Sequence, residues 1–294
     1  MTAVLIKAVT FVGIIFLGYF LKRIGFFQEK DFFLLSKIVI KITLPAAIAY
    51  SFASMELSPS MLVLTLFGFG GGVLMILLGY LVNRKKSREE RAFSMLNVSG
   101  YNIGNFALPF VQNFLGPAGV MTTSLFDSGN AVICLGGAYS VASMVGGTSK
   151  GGSPVKNIAK ALGKSVPFLV YVIMIIVRLL DITLPPVLIS FAGTISNANA
   201  FMAMLMLGVG FKLTLNKEYT GKLVKYLLLR YSAAAVLASA YYFLLPFSLE
   251  IRQALVLVAF APVASANPPF TAEMKGDIGL SSAFNSLSIV VSIV

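Results

Sequence analysis

Asn102-Ile103-Gly104-Asn105-Phe106-Ala107-Leu108-Pro109 and Ala264-Ser265-Ala266-Asn267-Pro268-Pro269 interrupt two otherwise apolar stretches, at corresponding places in the two halves of the chain. Asparagine and proline in mid-run end a helix early and free N–H and C=O groups that hydrocarbon cannot satisfy. Such backbone persists in a membrane only where it is buried in protein or lines a wet cavity. Two interrupted segments at matching positions are the sequence mark of a binding site built between repeats, and so of a solute path.

Composition sets the surroundings of these breaks. Of 294 residues, 57% are hydrophobic and 12% charged, with a mean hydropathy of +0.89. An ordinary soluble domain has about 45–50% apolar and about 25% charged residues. Apolar runs of about 17–25 residues, long enough for ~30 Å of hydrocarbon, recur throughout. The chain reads as an all-α integral membrane protein. Ala3 to Leu21 lacks a small-residue cleavage site and is read as a retained helix rather than a signal peptide. Histidine is absent and Cys134 is the single cysteine. This excludes disulfides, imidazole metal sites and Ser-His or Cys-His nucleophile pairs, and leaves Cys134 as a small packing residue; no metal is assigned.

Ten spans are predicted, at 3–21, 32–54, 60–82, 92–113 and 117–145, then 166–180, 186–211, 222–247, 251–273 and 278 to the end. A polar Gly/Ser/Lys-rich stretch, 146–165, joins a first five-helix repeat (1–145) to a second (166–294) as a flexible linker. The formal charge of +12 would suit nucleic acid if it formed a stripe, but the basic residues fall in alternate short loops. They include Lys22, Arg23 and Lys30; Arg84, Lys85, Lys86, Arg88 and Arg91; Lys150, Lys156, Lys160 and Lys164; and Lys212, Lys217, Lys222 and Lys225. The positive-inside rule then puts the linker in the cytoplasm and both termini outside the cell membrane. No nucleic-acid partner is expected. An odd number of helices per half makes the second copy insert upside down, so the halves form an inverted repeat. Gly116-Pro117-Ala118-Gly119 and Gly276-Asp277-Ile278-Gly279 close the two interrupted spans in parallel fashion.

Leu17-Gly18-Tyr19-Phe20-Leu21-Lys22-Arg23, Ser36-Lys37-Ile38-Val39 running to Leu44-Pro45, and Asn102-Ile103-Gly104-Asn105 with Leu108-Pro109 resemble the auxin efflux carrier family, including its bacterial organic-acid permeases. The resemblance covers essentially the whole chain. It implies a fold similar to bile-acid and sodium/proton antiporter relatives, with a scaffold domain, a core domain, and broken spans 4 and 9 crossing each other. It also implies small organic anions as substrates. The long central loop of the plant carriers is here only the short linker, which favours the bacterial branch.

The residues suggest how an anion is held. Helix N-termini at the breaks carry partial positive charge and free donors, so a carboxylate can be gripped there by backbone and by the amides of Asn105 and Asn267, and Asn102, Pro109, Asn130 and Pro268 are expected to be substrate-binding residues with them. The plainer alternative is that Pro109 and Pro268 only kink helices. Asp127 lies inside a span, where a carboxylate costs roughly 2.5–3.5 kcal/mol on insertion scales, and it is expected to carry a coupling proton or sodium ion. Asn130 falls three residues on, on the same helix face. Asn197 and Asn199, opposite Thr43, are candidates for the far cavity wall or for interhelical hydrogen bonding. Glu273, beside Lys275 and Asp277, is a weaker coupling candidate. No cofactor is expected, and the partners are a small organic acid, the lipid bilayer and, as an option, a second copy in a homodimer.

The expected function is secondary active transport of a small organic anion, such as malate, malonate or an auxin-like acid, by alternating access; the alternatives are a transporter-like receptor or a sodium-coupled symporter of another acid. The chain is not expected to be an enzyme. Asp127 and Asp277 form only a superficial aspartyl-protease pair, because Asp277 sits in a charged turn. A channel would need a ring of charges or a carbonyl filter, and neither is visible.

Overall fold

The computed structural model describes residues 2–149, 151–211 and 217–293, and these form helices without strands. Lys150 and Lys212 of the charge pattern lie outside the described residues. Helix α1 is Thr2–Arg23, α2 Asp31–Ala53, α3 Pro59–Val82 and α4 Arg88–Asn97. Helix α5, Ile103–Gly146, is bent at Gly116 (φ 58°, ψ −150°), which divides it into two limbs. Then follow α6 (Pro154–Leu162), α7 (Val166–Leu179), α8 (Pro186–Gly210), α9 (Thr220–Leu244), α10 (Leu249–Ala259), α11 (Asn267–Glu273) and α12 (Ile278–Ile293). Five of these, α2, α3, α5, α8 and α9, are each long and apolar enough to cross a membrane, or six if the bent pair α6 and α7 is one span. Phe16, Leu66, Leu228 and Val236 are among the large apolar side chains facing outward, as expected of helices surrounded by lipid.

Local chemistry explains the boundaries. Helix α4 starts at Arg88, four residues before the expected 92, because Ser87 Oγ accepts from Glu90 N at 3.2 Å and Glu89 and Glu90 fill the positive first turn. In α2 and α5, a π-turn (Val39–Thr43 and Ile103–Ala107) ends two residues before a proline, Pro45 or Pro109. A proline cannot donate to the preceding turn, and a local widening of the helix absorbs the missing bond. The stretch expected to be a flexible linker contains α6, which forms because Ser153 caps it and Pro154 occupies its first turn. It meets α7 at a bend of 77°.

Two pairs of helices touch backbone to backbone through reciprocal glycines. A Cβ added to Gly68 of α3 would lie 1.9 Å from the Phe126 carbonyl oxygen of α5, and one on Gly129 of α5 would lie 1.9 Å from that of Thr65 on α3. Gly18 of α1 and Gly208 of α8 stand in the same reciprocal relation, against the carbonyls of Leu205 and Ile15. Small residues permit this approach, the usual means of close packing where lipid supplies no hydrophobic drive between helices. The Gly68–Gly129 contact fixes the face of α5 that carries Asp127 and Asn130.

Candidate solute-binding site

The apolar run between Arg88 and Gly146 stops being helical at Val98–Asn102, and that between Leu249 and Glu273 at Phe260–Ala266. The two interruptions meet. Asn102 N donates to Pro262 O at 2.8 Å. Gly100 has φ +70°, and a Cβ there would press on Cys134 Sγ at 2.8 Å and on Ala264 Cβ at 2.9 Å. A residue with a side chain would therefore both strain the backbone and push the two interruptions apart.

Polar side chains satisfy the freed backbone. Asn130 Oδ1 accepts from Tyr101 N at 3.0 Å while its Nδ2 donates to Tyr101 O at 2.9 Å. Asn267 Nδ2 donates to Asn97 O at 3.2 Å and to Ser99 O at 3.3 Å, so the asparagine of the second break clasps the backbone of the first. Asn97 Nδ2 in turn donates to Thr271 Oγ1 at 3.0 Å, and Ser281 Oγ donates to Asn97 Oδ1. On the second interruption, Ser288 Oγ accepts from Val263 N at 3.2 Å and Asn285 Nδ2 donates to Ala264 O at 3.2 Å. Arg230, from the middle of α9, donates to Val98 O at 2.8 Å and to Ala261 O at 3.1 Å.

Beside this crossing lies a cavity of about 210 Å³. Tyr101 to Asn105 line it from the first interruption, Ala264 to Ala266 from the second, Asp127, Asn130 and Cys134 from α5, and Phe168 and Tyr171 from α7. Asp127 is the one charged side chain among the described lining residues. Its Oδ1 accepts from Asn130 Nδ2 and its Oδ2 from the Tyr171 hydroxyl, both at 2.8 Å. Asn105 Oδ1 is buried with no hydrogen-bond partner.

Of the residues singled out in the sequence, the cavity gathers Asn102, Asn105, Asp127 and Asn130. Asn267 stands behind its wall, committed to carbonyls, and Pro109 and Pro268 shape the helices without lining it. Asn199 belongs to a buried network in which it accepts from Thr43 Oγ1 at 2.9 Å and donates to Gln112 Oε1 at 3.0 Å, while Gln112 donates to Ser196 O and Oγ at 3.0 Å. Asn197 is exposed on the other face of α8. Glu273 is exposed and borders a separate cavity of about 140 Å³ with Tyr139, Ser143 and the linker residues Gly151, Gly152, Pro154 and Asn157. Sequence reasoning passed over Arg230, Tyr171, Asn97 and Asn285. For Arg230 the signal was present: a lone arginine inside an apolar run marks a functional or structural site by its cost.

Interrupted helices meeting at a small, partly polar cavity inside an apolar bundle define a membrane transport protein. The family model described as membrane transport protein matches residues 3–151, about half of the chain and all of the first interruption, and the chain belongs to that family. It is a multi-pass membrane protein and a permease by family. No curated protein matches the chain.

Proposed function

We propose that the protein is a secondary active transporter of a small organic anion, working by alternating access about the crossing of its two interrupted spans. The observation that carries this reading is the cavity bounded by both interruptions with Asp127 as its charged lining group. Its volume of about 210 Å³ falls below the roughly 300–1,000 Å³ of sites for drug-sized ligands, which favours a small acid over a bulky one. The carboxylate is received by the amides of Asn102 and Asn105 and by the N–H groups that open α5, where the helix dipole favours negative charge. An incoming carboxylate also meets Asp127, and two like charges in one small cavity repel. A proton or sodium ion taken up with the substrate removes the repulsion, which makes Asp127 the coupling residue.

Ten spans accompany this reading: α1, α2, α3, α4 with the first limb of α5, the second limb of α5, α7, α8, α9, α10 with α11, and α12. The linker is then cytoplasmic, both termini lie outside the cell membrane, and the cavity opens toward the cytoplasm, since Ser165 and Pro167 line it directly after the Lys-rich linker. An inverted repeat has support in side-chain chemistry. Ser124-Leu125-Phe126-Asp127-Ser128 parallels Ser282-Ala283-Phe284-Asn285-Ser286, and Asn130 and Ser288, each three residues beyond the Asp or Asn, accept from the backbone N–H of the interruption in their own half. Purified protein in proteoliposomes tests the proposal with malate, malonate, an amino acid and an aromatic acid, under pH and sodium gradients. Saturable, gradient-driven uptake of one of them is expected. Flux that neither saturates nor couples would indicate a channel, and binding without flux a receptor.

A further inference from the structure

Arg230 is wholly buried in α9, and no carboxylate among the described residues pairs with it. Its guanidinium carbon stands 4.2 Å from the centroid of the Tyr101 ring, and its Nε has no partner. The two oxygens it holds have one thing in common. Val98 directly follows the last residue of α4, and Ala261 is two beyond the last residue of α10. Both are thus carbonyls released where an interrupted span stops, at the end that carries partial negative charge. Two such ends facing one point attract a cation, and in carriers with broken helices, unwound carbonyls and half-helix C-termini are what hold the coupling ion.

We propose that Arg230 is a tethered cation: its guanidinium occupies the point between the carbonyl ends of both interrupted spans where a free monovalent cation would otherwise bind. The crossing is thereby held together and charge-balanced without sodium. A planar fork with its donors fixed apart reaches two carbonyls at once, and the Tyr101 ring face completes its surroundings, which is why an ordinary acidic partner is dispensable. The inference rests on the transporter reading only in what it leaves to coupling, which becomes the task of Asp127. A stability measurement tests it without any transport, so that failure of one reading is distinguishable from failure of the other.

The experiment is thermal unfolding of the detergent-purified protein in sodium, potassium, guanidinium and choline chlorides at equal, low concentration, with Asp127→Asn carried throughout so that the coupling carboxylate takes up no sodium, for this parent and for Arg230→Ala and Arg230→Lys made in it. The parent is expected to unfold at the same temperature in sodium and in choline. Arg230→Ala is expected to unfold earlier and to regain about 3 °C or more in guanidinium, or in sodium, relative to choline. A parent stabilised by sodium over choline would overturn the proposal, as would an alanine variant as stable as the parent or one that gains equally from all four salts. Arg230→Lys keeps the charge with a single donor head and is expected to stay indifferent to sodium. If the alanine variant does not accumulate, a lysine variant rescued by sodium overturns the proposal, and an indifferent one, together with an indifferent parent, supports it.

Discussion

The side-chain amide of Asn130 is paired with the backbone of Tyr101 through both of its ends, accepting from the N–H at 3.0 Å and donating to the C=O at 2.9 Å. One amide thus replaces, for one residue of the first interruption, the two hydrogen bonds that a continuous helix would have provided. The same Nδ2 also donates to Asp127, so the pin that fixes the broken backbone fixes the carboxylate as well.

Asn130→Ala is therefore expected to act as a stability variant. It strands a buried N–H and a buried C=O, each at a cost of about 1–3 kcal/mol, and the unfolding temperature in detergent should fall accordingly. An unchanged unfolding temperature would refute the pinning role.

Asn105 and Asn267 should separate from each other. Asn105 borders the cavity, where its amide N–H is the group that can donate to a carboxylate, so Asn105→Ala is expected to weaken binding of the best organic acid by about tenfold, or 1.4 kcal/mol, with little change in unfolding temperature. Asn267→Ala removes the clasp on Asn97 O and Ser99 O and should lower stability first. Isothermal titration with the acid, paired with thermal unfolding, distinguishes the two patterns. Matching effects in both variants would contradict the assignment.

Coupling is read through pH. If the substrate carboxylate enters with a proton that resides on Asp127, affinity rises as pH falls, because the bound state holds more protons than the free one. Asp127→Asn keeps the shape and the Tyr171 contact but loses the titrating group, and its affinity is expected to be flat over the same range. Gradient-driven accumulation should vanish while exchange of substrate persists. A variant that keeps the full pH or sodium dependence would exonerate Asp127.

Topology is open to a direct test. A cysteine at Lys156, exposed on α6, should react with an impermeant thiol reagent only from the cytoplasmic side, and one at Ser58, exposed between α2 and α3, only from outside. Labelling of both from a single side would overturn the ten-span arrangement.

Gly68→Ala and Gly129→Ala are each expected to cost about 1–3 kcal/mol by overpacking, since the new methyl would meet a carbonyl that cannot swing away. Gly70→Ala, next to open space, is the control and should unfold like the parent.

The interruptions were legible in the sequence because asparagine and proline in an apolar run contradict the run itself. Asp127 was legible for the same reason, through its cost in hydrocarbon. The roles of the asparagines were not. Asn267 reads as a ligand until its acceptors appear, and these lie 170 and 168 residues away, at Asn97 and Ser99. Arg230 has the same difficulty, with partners in two different interruptions. Helix α6 was missed for a local reason: glycine and serine dominated the reading of 146–165, while Ser153-Pro154, a cap followed by a proline suited to a first turn, went unread.

The reciprocal glycines also divide the molecule mechanically. Where backbone rests on backbone there is no side chain to re-rotamerise, so α3 with the second limb of α5, and α1 with α8, behave as two stiff rafts. The first limb of α5 meets the second raft through softer contacts, the hydrogen bonds from Gln112 to Ser196 and from Asn199 to Gln112. A handful of polar contacts can be exchanged one at a time, whereas a glycine seam has to slide as a whole. A span that moved past α8 would exchange contacts of the kind Gln112 makes and would carry its glycine seam along with it.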